Sequence, residues 1–144
     1  MIYAIWVLKS SGEPLIYKFY RKDRLTSQAP SLTGGFLTAI FDSMRVNTGE
    51  QLNIIKIGEI NVAYKPFKTF IVVVASDDPE EARRFAAKVG SEFKMQYSQL
   101  LDSWTGETSI FQPFIKKLDF LVKDAKRNLR DNLGRLLNSL GSQG

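Results

Sequence analysis

AYKPFKTFIVVVASDDPEEARRF, from Ala63 to Phe85, holds the end of one strand, the whole of the next and the start of a long helix. Ile71-Val72-Val73-Val74-Ala75 is apolar at every position. A strand wetted on one face alternates in polarity, whereas a continuous apolar run marks a strand covered on both faces. Only Lys68-Thr69 separates the run Phe70–Ala75 from the run Val62–Phe67. Two residues are too few for a parallel crossover, so these strands are predicted to pair antiparallel. Pro66 has no N–H to give to a ladder, so a bulge or frayed end is expected there. Downstream, Asp78-Pro79-Glu80-Glu81 reads as a helix start: an Asp cap, Pro at the first helical position and Glu three residues after the cap.

Working outward, Ile2–Leu8 is a second run without a polar position. Ser10-Ser11-Gly12-Glu13-Pro14 turns it into Leu15–Tyr20, and Gly58-Glu59 turns Leu52–Ile57 into Val62–Phe67. Leu52–Ile57 mixes polar and apolar residues and is the expected sheet edge. Helical spacing of apolar residues predicts a helix over Ser31–Val46, with a stripe at Leu32, Phe36, Leu37, Ile40 and Met44. It predicts another over Pro79–Ser103 and a last one from Phe111 onward. Gly34-Gly35 lacks the spacing of a phosphate-binding loop and reads as close packing or a frayed first turn. The acidic group Asp77, Asp78, Glu80 and Glu81 reads as capping and helix-dipole stabilisation rather than a metal site.

What is missing narrows the chemistry. The 144 residues, one domain by length, include no cysteine and no histidine. Disulfides, thiolate metal sites and cysteine nucleophiles are excluded. Ser-His-Asp catalysis and most zinc or non-haem iron sites go with histidine. No enzyme activity and no cofactor are expected. No apolar run approaches the ~18–20 residues that span a bilayer. The N-terminal MIYAIWVLKSSGEP reads as a strand and not a signal peptide, so the expected location is cytoplasmic, with membrane association as an option.

The element order ββ-α-βββ-αα resembles the longin domain, a SNARE-like, profilin-like sandwich. IYAIWVL with its Ser-Gly turn, LTGGFLTAIFDSM, and the stretch from Ala63 to Phe85 share that texture, closest in look to stand-alone archaeal longin and roadblock-type proteins. Roadblock domains begin with a helix, and this chain begins with a strand. The resemblance covers about residues 1–122. It implies an α/β (α+β) fold with a five-stranded antiparallel sheet, order 2-1-5-4-3, between one helix and two long C-terminal helices. Residues 123–140 then form a basic amphipathic extension of the last helix, and 141–144 a disordered end.

The resemblance also implies binding rather than catalysis: a dimerising platform for a small GTPase or trafficking-like partner, which includes itself or another longin or roadblock protein. In the family the first helix and the third strand meet the partner. Here that maps to Gly35, Thr38 and Phe41, and to Asn53, Ile55 and Ile57. Phe41 is equally readable as core. Only about three heptads follow Val122, so no full SNARE motif fits.

Seven of the 20 Lys/Arg and three of the 15 Asp/Glu lie in residues 111–144, which puts +4 of the net +5 there. Lys116, Lys117, Lys123, Lys126, Arg127, Arg130 and Arg135 accompany a leucine stripe at Leu129, Leu133, Leu136 and Leu140. Such a helix is a partner helix or a membrane-surface element, the latter giving the alternative function of a peripheral adaptor on anionic lipid. The plainer alternative is a solvated basic face over a core stripe. Nucleic acid ranks last, because residues 123–140 contain no aromatic to stack on bases.

Overall fold

The computed structural model describes residues 1–28, 40–42, 44, 49, 51–104 and 106–141. The chain forms two units, Met1–Gln112 and Pro113–Gly144. In the first, strands β1 (Ile2–Lys9), β2 (Pro14–Phe19), β3 (Asn53–Ile57), β4 (Ile60–Pro66) and β5 (Phe70–Ser76) make one sheet. Its order is β2-β1-β5-β4-β3, with every neighbouring pair antiparallel. The fold is α+β with the order expected.

The two continuous apolar runs are the two central strands. All seven residues of β5 and the first seven of β1 are buried. Burying a single Val or Ile side chain contributes roughly 1.5–3 kcal/mol, so this pair is the largest block of stabilisation in the sheet. Register shifts fall at both ends of β1, between Ile2 and Ala4 against β5 and between Val7 and Leu8 against β2. The ladder between β4 and β5 is regular as far as Pro66 opposite Ile71. Pro66 therefore ends its strand without a bulge, and the two-residue turn closes through Phe67 N–H to the Phe70 carbonyl at 2.7 Å. Gly58, at φ 61°, takes the positive φ that the two-residue turn from β3 to β4 requires at its first position.

Strand alternation sends Trp6, Leu8, Tyr64, Ile71 and Val73 to one face, where they form a core with Leu25, Ile40, Ile60 and Val62. Leu25 belongs to a seven-residue helix, α1 (Lys22–Gln28), in a segment without apolar periodicity. Arg21 and Asp23 pair across its start at 3.1 Å. Of the helix expected over Ser31–Val46, residues 40–42 and 44 are helical and the others lie outside the described residues, save Gly49 beyond its end. Ile40 is fully buried and Met44 packs against the core, as their places in the stripe imply.

The opposite face carries α2 (Pro79–Asp102), which packs on β4 and β5. Its inward residues include Ala82, Phe85, Ala86, Val89 and Phe93. Phe93 meets Phe70 at 4.9 Å, Tyr97 at 5.0 Å and Phe111 at 5.7 Å. Gly90 lies under the Phe67 ring, which stacks on Phe70 at 4.5 Å; a Cβ at residue 90 would fall inside that ring. The helix starts where expected: Asp78 accepts from the Glu80 N–H at 3.1 Å, and Pro79 follows it. A 3-10 turn, Ser109–Phe111, ends this unit and sinks Phe111 completely.

The second unit is α3 (Phe114–Gly141), 28 residues long, which starts three residues later than expected. Phe114, Leu118, Leu121 and Val122 are buried; from Lys126 to Gly141 every residue except Gly134 is exposed.

Candidate functional site

Three regions gather functional side chains: the acidic group before α2, the β3 edge and the second half of α3. The acidic group is structural in each of its contacts. Asp78 caps the helix and gives its own N–H to Ser76 Oγ at 3.1 Å. Glu81, placed by sequence to close a capping box, turns instead to the Met1 ammonium at 2.9 Å, which Asp77 also binds at 2.7 Å. Partial burial works against that ammonium's charge, but the two carboxylates outweigh it and raise its pKa above the usual 8.0. Buried Ser76 donates to the Met1 carbonyl at 2.9 Å, and Asn61 donates to the Asp77 carbonyl at 3.2 Å, so both polar side chains are satisfied. Among the described residues, no cluster of three or more His, Cys, Asp or Glu is placed to hold a metal ion.

The other shifted groups sit in packing, as Tyr3 and Tyr97 do, or on the surface, as Arg21 and Asp23 do. Burial pushes the Tyr97 and Tyr3 phenols up, and the hydrogen bond from Arg21 holds exposed Asp23 down. A depression of about 280 Å³ between the β4–β5 turn and the last turns of α2 presents Lys68, Lys94, Ser98 and Asp102 beside Phe67 and Phe70. Its charges are mixed, Lys68 and Lys94 with the single carboxylate of Asp102.

At the edge, β3 is the outermost strand, and among the described residues no strand pairs with its free side. An open edge offers unpaired N–H and C=O groups to another chain. Ile55 and Ile57 lie over the same core as Phe41 and Met44, each partly buried. Phe41 also sits against Gly12, whose added Cβ would lie 3.3 Å from the Phe41 Cζ. The Asn53 amide donates to the Gln51 carbonyl at 3.1 Å. Ile55 and Ile57 thus lie at the β3 edge, whereas Phe41 sits against the turn between β1 and β2, across the sheet from that edge. Gly35 and Thr38 lie outside the described residues.

The second half of α3 differs from both. Leu129, Leu133, Leu136, Leu137 and Leu140 are between 54% and 67% exposed. Leu137, not among the stripe positions read from sequence, widens the strip. The cations named from sequence are here too: Lys116, Lys123, Lys126, Arg127, Arg130 and Arg135 are exposed, and Lys117 is half-buried with its Nζ 5.8 Å from the Phe120 ring centre. Arg127 pairs with Asp124 at 3.0 Å. Among the described residues no ion pair engages Lys123, Lys126 or Arg130. No helix of the described residues is long and apolar enough to cross a membrane.

No protein-family model matches the chain, and no curated protein matches it.

Proposed function

We propose that this chain is a non-catalytic protein-interaction module of the longin type, with the second half of α3 as its main docking element. One observation carries the reading: five leucines on one helix segment are more than half exposed. Contiguous apolar surface of this kind marks an interaction site far more often than chance. The strand order and the open β3 edge support a second contact along Ile55 and Ile57, suited to another copy, a longin or roadblock protein, or a small GTPase. The peripheral-adaptor reading draws on the same basic helix and differs in its partner, an anionic membrane surface in place of a protein.

The test is a chain with Leu129, Leu133, Leu136 and Leu140 all changed to Gln. Docking leucines leave the melting temperature of the isolated protein where it was, within about 2 °C for an effect under 0.5 kcal/mol at this size. A fall of more than about 8 °C would place these leucines in a core and end the proposal. Ile55→Asp separates the edge: sedimentation would show loss of any self-association through β3 while contacts through α3 persist.

A further inference from the structure

We infer that the depression between the β4–β5 turn and the end of α2 binds a short zwitterionic molecule with an excess of carboxylate, of the acidic oligopeptide kind. Its anionic end meets Lys68 and Lys94, and its ammonium meets Asp102. The site lies wholly within the first unit and does not depend on the α3 strip.

The first ground is a fixed frame. Three hydrogen bonds hold the turn: Phe67 N–H to the Phe70 carbonyl at 2.7 Å, Ser10 N–H to the Thr69 carbonyl at 3.1 Å, and Ser10 Oγ to the Lys68 carbonyl at 3.3 Å. Phe67 stacks on Phe70 at 4.5 Å, and Gly90 leaves its ring room against α2. Lys68 thus springs from a held backbone opposite a helix, and little backbone ordering is left for a ligand to impose.

The second ground is how the charges are set apart. Lys94, Ser98 and Asp102 recur at intervals of four, so they share one stripe of α2, with about 12 Å of rise from first to last. At two turns' separation Lys94 and Asp102 are beyond the i,i+4 reach of a helical ion pair. Among the described residues no ion pair engages Lys68, Lys94 or Asp102, and no side-chain hydrogen bond engages Thr69, Ser98 or Gln99 beside them. Lys65 Nζ, 5.0 Å from the Phe67 ring centre, adds a third ammonium beside a ring that lines the depression. Asp102 instead closes α2, whose last turn has no basic residue. The terminal carbonyls of the helix add partial negative charge at that end. A plain anion would meet Asp102 and these carbonyls, and a plain cation would meet the lysines. A molecule bearing both charges complements both ends, and two lysines to one carboxylate set its net charge negative. An extended tripeptide, about 10 Å at ~3.3 Å per residue, matches the distance between the ends.

The experiment titrates the full chain with three tripeptides and with inorganic phosphate, reading amide shifts by NMR at pH 7 and low salt. Gly-Gly-Glu carries both charges, its N-acetyl form lacks the ammonium, and Gly-Gly-Gln amide lacks both carboxylates. Gly-Gly-Glu is expected to shift the amides of residues 68–69 and 94–102 saturably, about fivefold more tightly than either relative. Asp102→Asn should make the free and acetylated peptides equal, and Lys68→Gln with Lys94→Gln should weaken Gly-Gly-Glu about tenfold. All three side chains are exposed, so both variants should keep the melting temperature within about 2 °C. The unmutated chain decides the matter even where a variant melts early. No saturable shift below about 20 mM, equal affinity for all three tripeptides, or phosphate binding as tightly as Gly-Gly-Glu would overturn the inference. The four-leucine variant should bind Gly-Gly-Glu unchanged; a loss of binding there would move the peptide to α3 and overturn it too.

Discussion

The two halves of α3 are written in the same apolar period and live in opposite environments. Phe114, Leu118, Leu121 and Val122 are buried, and Leu129, Leu133, Leu136, Leu137 and Leu140 are exposed. Both halves place an aliphatic residue every three or four positions, so period alone assigns them the same role. What separates them is whether anything covers the stripe, which no local pattern encodes. The composition around the stripe differs as well. The exposed half carries Gly134 and several asparagines, weak helix formers that a helix secured by packing would tolerate and a bare one feels.

The largest effect to test is the same truncation in each half. Leu118→Ala, at a fully buried site, should lower stability by about 2–5 kcal/mol through lost transfer energy and a cavity. Leu133→Ala, at a site 54% exposed, should change it by less than about 0.5 kcal/mol. Urea denaturation of both variants reads the difference directly. Equal losses would break the comparison and make the strip a core.

A glycine pair gives the next contrast, this time in sign. Gly90→Ala on α2 drives a Cβ into the Phe67 ring and disrupts its stack on Phe70. The loss should be about 1–3 kcal/mol, as for other overpacked sites. Gly134→Ala on α3 meets no atom within 4 Å, and its backbone is helical. It should gain up to about 1 kcal/mol of helix stability, seen as slower amide exchange across residues 128–141. If it instead loosened those amides, Gly134 would have a packing role that open space around it does not suggest.

These contrasts show which features were legible in sequence. The sheet order was implied by the resemblance and agreed with the residues: β1 and β5 are apolar at every position, as central strands are, and three turns were too short for anything but hairpins. The start of α2 was legible from Asp78 and Pro79, since a cap is a local event. Helix α1 was not: KDRLTSQ offers a single buried residue, Leu25, and seven residues are too few to show a period. At the candidate sites, four of the five leucines of the α3 strip could be named in advance, Leu137 being missed, whereas their exposure could not. Ile55 and Ile57 read correctly as edge residues, but alternation also turns them toward the core, which sequence left open. The anchoring of Met1 was illegible for a simpler reason: its partners Asp77 and Glu81 lie 76 and 80 residues away.

That anchor supplies the smallest effect and sharpens the comparison for charge. Beside β1 and α2, charge holds the fold: the Met1 ammonium sits between two carboxylates that raise its pKa. A raised value means the folded state holds this proton more tightly than the unfolded state, so its contribution is complete below the ordinary 8.0 and is lost as pH rises through the folded value. Because the group is largely solvent-facing, the loss should stay under about 1 kcal/mol. Tyr3 and Tyr97, also raised, lose their contributions only above their ordinary 10.0, so melting temperatures between pH 7 and 9.5 isolate the amine. Asp77→Asn with Glu81→Gln should lower the melting temperature at pH 7 and flatten its decline toward pH 9.5. Lys126→Glu with Arg130→Glu, on the exposed half of α3, should alter neither, because both side chains are exposed and make no ion pair among the described residues. A matching drop from the α3 pair would mean that both regions use charge for stability, and the basic row would then be part of the protein's own architecture.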